Sequence, residues 1–70
     1  MTETTIFGVK FRYVRFYDRN YEFLYEECTI IDAFGDIRPG DKYDRVVFVL
    51  NYPRKLLLYR GGIPIHTVTE

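Results

Sequence analysis

The chain has 70 residues, 47% of them hydrophobic, and its ten basic and ten acidic residues cancel to a formal net charge of zero. These values indicate one small globular domain, residues 1–70, without the basic excess that a dedicated nucleic-acid binder needs. One cysteine and one histidine exclude an internal disulfide and a zinc cluster.

The first predicted strand covers about residues 5–17. The hydrophobic positions of its first half alternate with glycine and basic residues, which is the period of two expected for one buried and one solvated face. These positions are Phe7, Val9, Phe11 and Tyr13. The pattern then shifts at Val14, which predicts either a bulge there or one long strand bent over two layers.

A hairpin should join this strand to a second one over residues 21–32. Asp18-Arg19-Asn20 supplies the turn chemistry, with Asn20 tolerant of a left-handed backbone. Two registers compete, and a three-residue loop would place Tyr17 opposite Tyr21. A two- or four-residue connection keeps more apolar pairs on one face and is favoured. Its pairs are Tyr17–Glu22, Phe11–Cys28 and Val9–Ile30.

Three more strands are predicted after an irregular segment, residues 33–44, in which Pro39 and Gly40 suit a type II turn. The third strand, residues 45–51, contains the uninterrupted apolar run Val46–Leu50, which predicts burial on both faces and hence a central position or an interface. The fourth and fifth strands cover residues 55–60 and 63–68. A Gly61-Gly62 hairpin turn joins them, and Pro64 marks the fifth as an edge strand.

The predicted fold class is therefore all-β, a small antiparallel five-stranded meander curled into an SH3-like barrel or an open sandwich. Its charges are unevenly distributed. Residues 18–35 hold five carboxylates and one arginine, whereas residues 38–60 hold six basic residues and two carboxylates. We expect these halves to pair within one monomer, with head-to-tail association as the alternative.

Catalytic machinery is missing from the sequence. It contains no serine, and Cys28 with His66 is the only candidate thiol–imidazole pair. A lone cysteine among aliphatic residues is more typical of a small core side chain, and the carboxylates do not have the spacing of a calcium loop. We therefore expect no enzymatic activity, no metal and no cofactor.

Aromatic residues are the most informative feature of the chain. Thirteen of its 70 residues are tyrosine or phenylalanine, and each fully buried ring would enclose ~150–250 Å². A domain of this size buries only about 60–65% of its unfolded surface, so some rings should stay outside and mark a contact surface. The expected partner-binding residues lie at or beside predicted turns. They are Tyr17, Arg19, Tyr21, Tyr52 and Arg54.

These features favour a non-enzymatic protein-interaction module that occludes a larger partner, as small phage-type inhibitors do, or that associates with itself. One alternative is a small barrel that binds single-stranded nucleic acid through Lys10, Arg12 and Arg15, although neighbouring carboxylates would repel phosphate. Another is an oligomer that holds a small aromatic or nucleotide ligand at its interfaces.

The expected location is the cytoplasm. The first five residues have neither the basic nor the apolar region of a signal peptide. The longest aliphatic-aromatic run, Val46–Leu50, is far too short to span a membrane.

Overall fold

Seven antiparallel strands and no helix make up residues 2–70, the part of the chain that the computed structural model describes. The strands are β1 Thr2–Ile6, β2 Val9–Tyr13, β3 Arg15–Arg19, β4 Glu22–Asp32, β5 Lys42–Val49, β6 Lys55–Arg60 and β7 Ile63–Thr69. They form one sheet in the order β1-β2-β4-β5-β6-β7, with β3 paired to β4. The two ends of the sheet are not hydrogen-bonded to each other. The all-β prediction is therefore confirmed in its open, sandwich-like form, with seven strands where five were predicted.

The extra strands come from the predicted first strand, which is in fact three strands. Phe7 and Gly8 form a two-residue turn between β1 and β2, with φ of 50° and 82°, as a primed hairpin turn requires. The Phe7 ring packs edge-on against Phe48, with ring centroids 5.4 Å apart. An apolar turn residue keeps the period-two pattern unbroken, so the pattern concealed this turn.

A bulge near Val14 separates β2 from β3, as the sequence predicts. The backbone N–H of Val14 donates to the Glu26 carbonyl at 3.0 Å, and Glu27 has a left-handed φ of 54°. The bulge changes which positions of β4 face inward. The odd-numbered Tyr25 faces the core before the bulge, and the even-numbered Cys28 faces it after the bulge. As a result β2 and β3 pair with different halves of one long strand.

The register of the β3–β4 hairpin contradicts both predicted registers. Its two-residue turn consists of Asn20 and Tyr21, and Tyr21, not Asn20, has the positive φ, 60°. The observed pairs include Arg19–Glu22, Tyr17–Leu24 and Phe11–Ile30. They lie two residues away from the favoured register. A slip of two residues keeps every side chain on its predicted face, so the apolar pattern could not distinguish the two registers.

The second half of the chain follows the sequence prediction more closely. Gly40 has φ of 91°, and the Asp41 N–H donates to the Arg38 carbonyl at 3.1 Å, as expected for the type II turn. The Gly61-Gly62 turn has φ of 63° and 78° and joins β6, which has the predicted bounds, to β7. β7 is an edge strand, as Pro64 indicates.

The core lies inside the curl of the sheet and draws buried side chains from β1, β2, β4, β5 and β6, together with Ile37 from the loop before β5. β5 is central and buried on both sides, as predicted. Val46 and Phe48 face the core, whereas Val47, only 6% exposed, lies outside that cluster. We call the side of β3–β6 that carries Val47 the outer face. No helix among residues 2–70 has the length and apolar character to cross a membrane.

Candidate protein-binding face

Part of the aromatic surface remains outside the core, which confirms the expectation from ring area. Exposure of these rings ranges from 39% at Tyr17 to 91% at Tyr52. The exposed rings are Phe16, Tyr17, Tyr21, Phe34 and Tyr52. Leaving an apolar ring in water is unfavourable, and exposed apolar patches are typical of surfaces that contact another molecule.

β3 places two of the predicted partner-binding residues on the outer face. Tyr17 lies opposite Leu24, and Arg19 lies opposite Glu22 on the next strand. Tyr17 and Arg19 both line a groove of about 400 Å³. No ion pair is formed by Arg19 among the described residues, so its guanidinium can bind a partner.

An aliphatic row forms the floor of this groove. Leu24 pairs with Val47 across β4 and β5, and Val47 pairs with Leu57 across β5 and β6. All three side chains line the groove. Sequence reasoning did not include this row among the contact residues. The signal for it is the continuously apolar stretch of each strand, which indicates burial on both faces.

Tyr21 and Tyr52 lie in loops at one end of the sheet. The Leu50 N–H donates to the Tyr21 carbonyl at 2.8 Å, so the β3–β4 turn is fixed to the end of β5. Tyr52 follows two residues later in the β5–β6 loop. Tyr21 is 71% exposed. We group Tyr21 and Tyr52 with Tyr17 and Arg19 of β3 and call these four residues the tyrosine face.

Arg54, the fifth predicted contact residue, is already bound within the chain. Its guanidinium lies 5.4 Å from the centroid of the Phe7 ring and donates from Nε to the Glu70 carboxylate at 2.9 Å. This hydrogen bond lowers the pKa of Glu70. Arg54 covers the edge of the core, so it is the least available of the five predicted residues.

Each of the three basic residues predicted to bind nucleic acid in the alternative function forms a salt bridge with a carboxylate. Lys10 and Arg12 both reach Glu3, at 3.8 Å and 3.1 Å. Arg15 donates from Nε to Glu26 at 2.8 Å and also pairs with Glu27. Neutralised cations attract phosphate weakly, because affinity for nucleic acid depends on unpaired positive charge.

The two oppositely charged halves meet within one monomer but are not joined by ion pairs. β4 and β5 are neighbours, and Glu26 lies opposite Arg45. Among residues 2–70, however, no salt bridge connects a carboxylate of residues 18–35 with a base of residues 38–60. Arg45, which lines the groove, consequently has no salt-bridge partner in the described part of the chain.

Cys28 has the properties of a core residue. It is 1% exposed, and burial raises the pKa of its thiol to about 12, so the thiolate needed for nucleophilic attack is not formed near neutral pH. His66 contacts the edge of the Tyr43 ring, 6.3 Å between centroids. In the described part of the chain, no group of three or more histidine, cysteine or acidic residues could hold a metal ion.

Comparison of the chain with protein-family models, with curated proteins and with solved structures finds no match.

Proposed function

We propose that this protein is a non-enzymatic protein-binding module that occludes a larger partner through the tyrosine face. The observation that carries the proposal is the conformation of Tyr21. This bulky residue has φ of 60° and leaves 71% of its surface exposed. Positive φ disfavours residues with a Cβ, and glycine would suit this turn position better. Strained positions of this kind are characteristic of functional sites.

The residue types of the tyrosine face suit protein recognition. Tyrosine provides a large contact area with little conformational entropy to lose, and its hydroxyl can hydrogen-bond at the rim. The unpaired Arg19 and the aliphatic row beneath Tyr17 add a cation and a desolvated floor. Binding hot spots typically combine aromatic and arginine side chains around such a protected centre. A partner bound here would cover the outer face of β3–β6.

The double variant Tyr21→Ala/Tyr52→Ala is expected to lose partner capture while remaining folded. Both rings are mainly exposed, so little core packing depends on them. The measurement is affinity capture from a lysate, followed by reconstitution of the captured protein and the purified chain, with far-UV circular dichroism as the fold check. Phe34→Ala removes an exposed ring outside the tyrosine face and serves as the matched control. Equal capture by the double variant and by wild type would contradict the proposal.

The single variant Tyr21→Gly separates strain from binding. A left-handed conformation costs a non-glycine residue about 1–2 kcal/mol, which exceeds the entropic cost of glycine, about 0.5–1 kcal/mol. We therefore expect a gain in folding stability of about 0.5–1 kcal/mol in urea titrations, together with weaker partner binding. A loss of stability would show that the Tyr21 ring supports the fold, and the argument from strain would then fail.

A further inference from the structure

Within residues 2–70, the sheet has three strand edges that no other strand covers, and two of them carry charge. β1 carries Glu3, which is paired with Lys10 and Arg12. β3 carries Arg15, Asp18 and Arg19. β7, with the sequence IPIHTVT, has no acidic residue, lysine or arginine over seven residues. Natural proteins protect free edges with charges, prolines and bulges. On β7 the proline and the bulge lie at Pro64 and Ile65, and no charged residue protects the stretch from His66 to Thr69.

The pairing of β7 with β6 shows which backbone groups face outward. The Glu70 N–H donates to the Arg54 carbonyl at 2.9 Å, and backbone groups of an antiparallel strand alternate in direction. Val68 therefore points its N–H and C=O toward β6, while Thr67 and Thr69 point theirs away from the sheet. Val68 also packs against the core, which anchors the strand.

Apolar side chains accompany these free backbone groups. Ile63 and Ile65 are 62% and 43% exposed, and Thr67 and Thr69 are also exposed. The missing N–H of Pro64 lies in the first half of the strand, next to the irregularity in the β6–β7 register. Ile65 has no partner on β6 in this register, so the regular edge runs from His66 to Thr69.

We propose that β7 pairs antiparallel with β7 of a second copy of this chain, in a two-fold symmetric dimer centred on Thr67. In this register the two Thr67 residues exchange backbone hydrogen bonds, and His66 of each copy lies opposite Val68 of the other. Directly opposed like charges destabilise such a pair, and an uncharged strand meets its own copy without this repulsion. The edge is therefore complementary to itself.

Two-fold pairing also consumes both β7 edges, which closes the assembly at two copies. Pairing of β7 with β1 would instead leave free edges for further growth. β3 pairs with β4 and is not a neighbour of β7, so the four residues of the tyrosine face lie away from the dimer edge. The aliphatic row comes closest to it, because Leu57 lies opposite Thr67. The dimer would present two tyrosine faces on one scaffold, and simultaneous engagement raises apparent affinity. The dimer is independent of the proposed partner binding.

The test uses a charge pair at the symmetry centre, with mass measured by size-exclusion chromatography and light scattering. Wild type should have twice its chain mass of 8.4 kDa. Thr67→Lys alone and Thr67→Glu alone should be monomers, because each places like charges opposite each other. An equimolar mixture of the two variants should recover the dimer, since lysine then faces glutamate. Circular dichroism verifies that both variants are folded, and Thr5→Lys on β1 is the matched edge control, expected to remain dimeric.

Three results would overturn the proposal. Wild type could be monomeric at high concentration, or the Thr67 variants could remain dimeric while folded. The mixture could also fail to recover the dimer, which would contradict the register. Tyr21→Gly should not change the mass of the dimer, so a failure of the dimer and a failure of the tyrosine face are distinguishable.

Discussion

Phe11→Ala is expected to remove most of the folding free energy of this protein. The Phe11 side chain is fully buried, and its ring packs edge-on against Tyr25 at 5.1 Å between centroids and tilted against Tyr13 at 6.2 Å. Truncating such a ring costs about 3–5 kcal/mol, through lost transfer free energy and the cavity left behind. At roughly 0.05–0.15 kcal/mol per residue, a domain of this size has about 3.5–10 kcal/mol in total.

Urea titration followed by circular dichroism measures this loss. Phe34→Ala is the matched control, because Phe34 is half exposed, 51%, and its truncation should cost about 1 kcal/mol or less. The double-mutant cycle Phe11→Ala with Tyr25→Ala should show coupling of about 0.5–1.5 kcal/mol from the edge-on ring pair. Equal losses for Phe11→Ala and Phe34→Ala would contradict the placement of Phe11 at the centre of the core.

The accuracy of the sequence prediction depended on the kind of signal available. Gly61-Gly62 and Pro39-Gly40 were located correctly, because positive φ at a turn imposes a requirement that few residue types meet. Phe7 was assigned to a strand, because an apolar turn residue satisfies the same alternation as a buried strand residue. Gly8, with φ of 82°, was the available signal for that turn.

The register error has a different cause. Registers that differ by two residues leave the apolar pattern unchanged. The turn decides between these registers, and the observed turn requires Tyr21 to adopt a left-handed backbone. Propensity argued against Tyr21 and for Asn20. The local rule is violated at Tyr21, as it is at Phe7 and Glu27. Phe7 packs against Phe48 and Glu27 pairs with Arg15, whereas Tyr21 is the one that the proposed function uses.

The candidate site could be predicted in part. Proximity to turns identified exposed Tyr21 and Tyr52, since turns lie at the surface. The intramolecular contacts of Arg54 could not be predicted, because its partners Phe7 and Glu70 are distant in sequence and only the fold brings them together. The groove floor formed by Leu24 and its neighbours likewise depends on pairing across three strands, and the register had to be known first.

Alkaline pH is expected to destabilise the protein through the buried Cys28 thiol. Burial raises the pKa of Cys28 from its ordinary value of 9.0 to about 12. The unfolded thiol ionises first, so the stability that this group contributes is fully present below about pH 9 and is lost as pH rises toward 12. Three pKa units correspond to about 4 kcal/mol. Burial also raises the pKa of Tyr25 and Tyr43, which adds to the decline.

The variant Cys28→Ala isolates the contribution of the thiol. It should be less stable than wild type near neutral pH, because it leaves a small cavity in the core. Its further loss of stability between about pH 9 and pH 11 should nevertheless be smaller than that of wild type, because the raised pKa values of Tyr25 and Tyr43 then act without that of the thiol. Urea titrations at a series of pH values measure both slopes.

Thiol labelling provides an independent measurement of the same burial. Cys28 should react with a disulfide reagent at the rate at which the protein opens, and the rate should rise steeply in denaturing urea. Rapid labelling of the folded protein, together with equal pH slopes for wild type and Cys28→Ala, would place the thiol in contact with water. Water would then reach the core between β4 and β5, which contradicts the burial of Tyr43 and Val46.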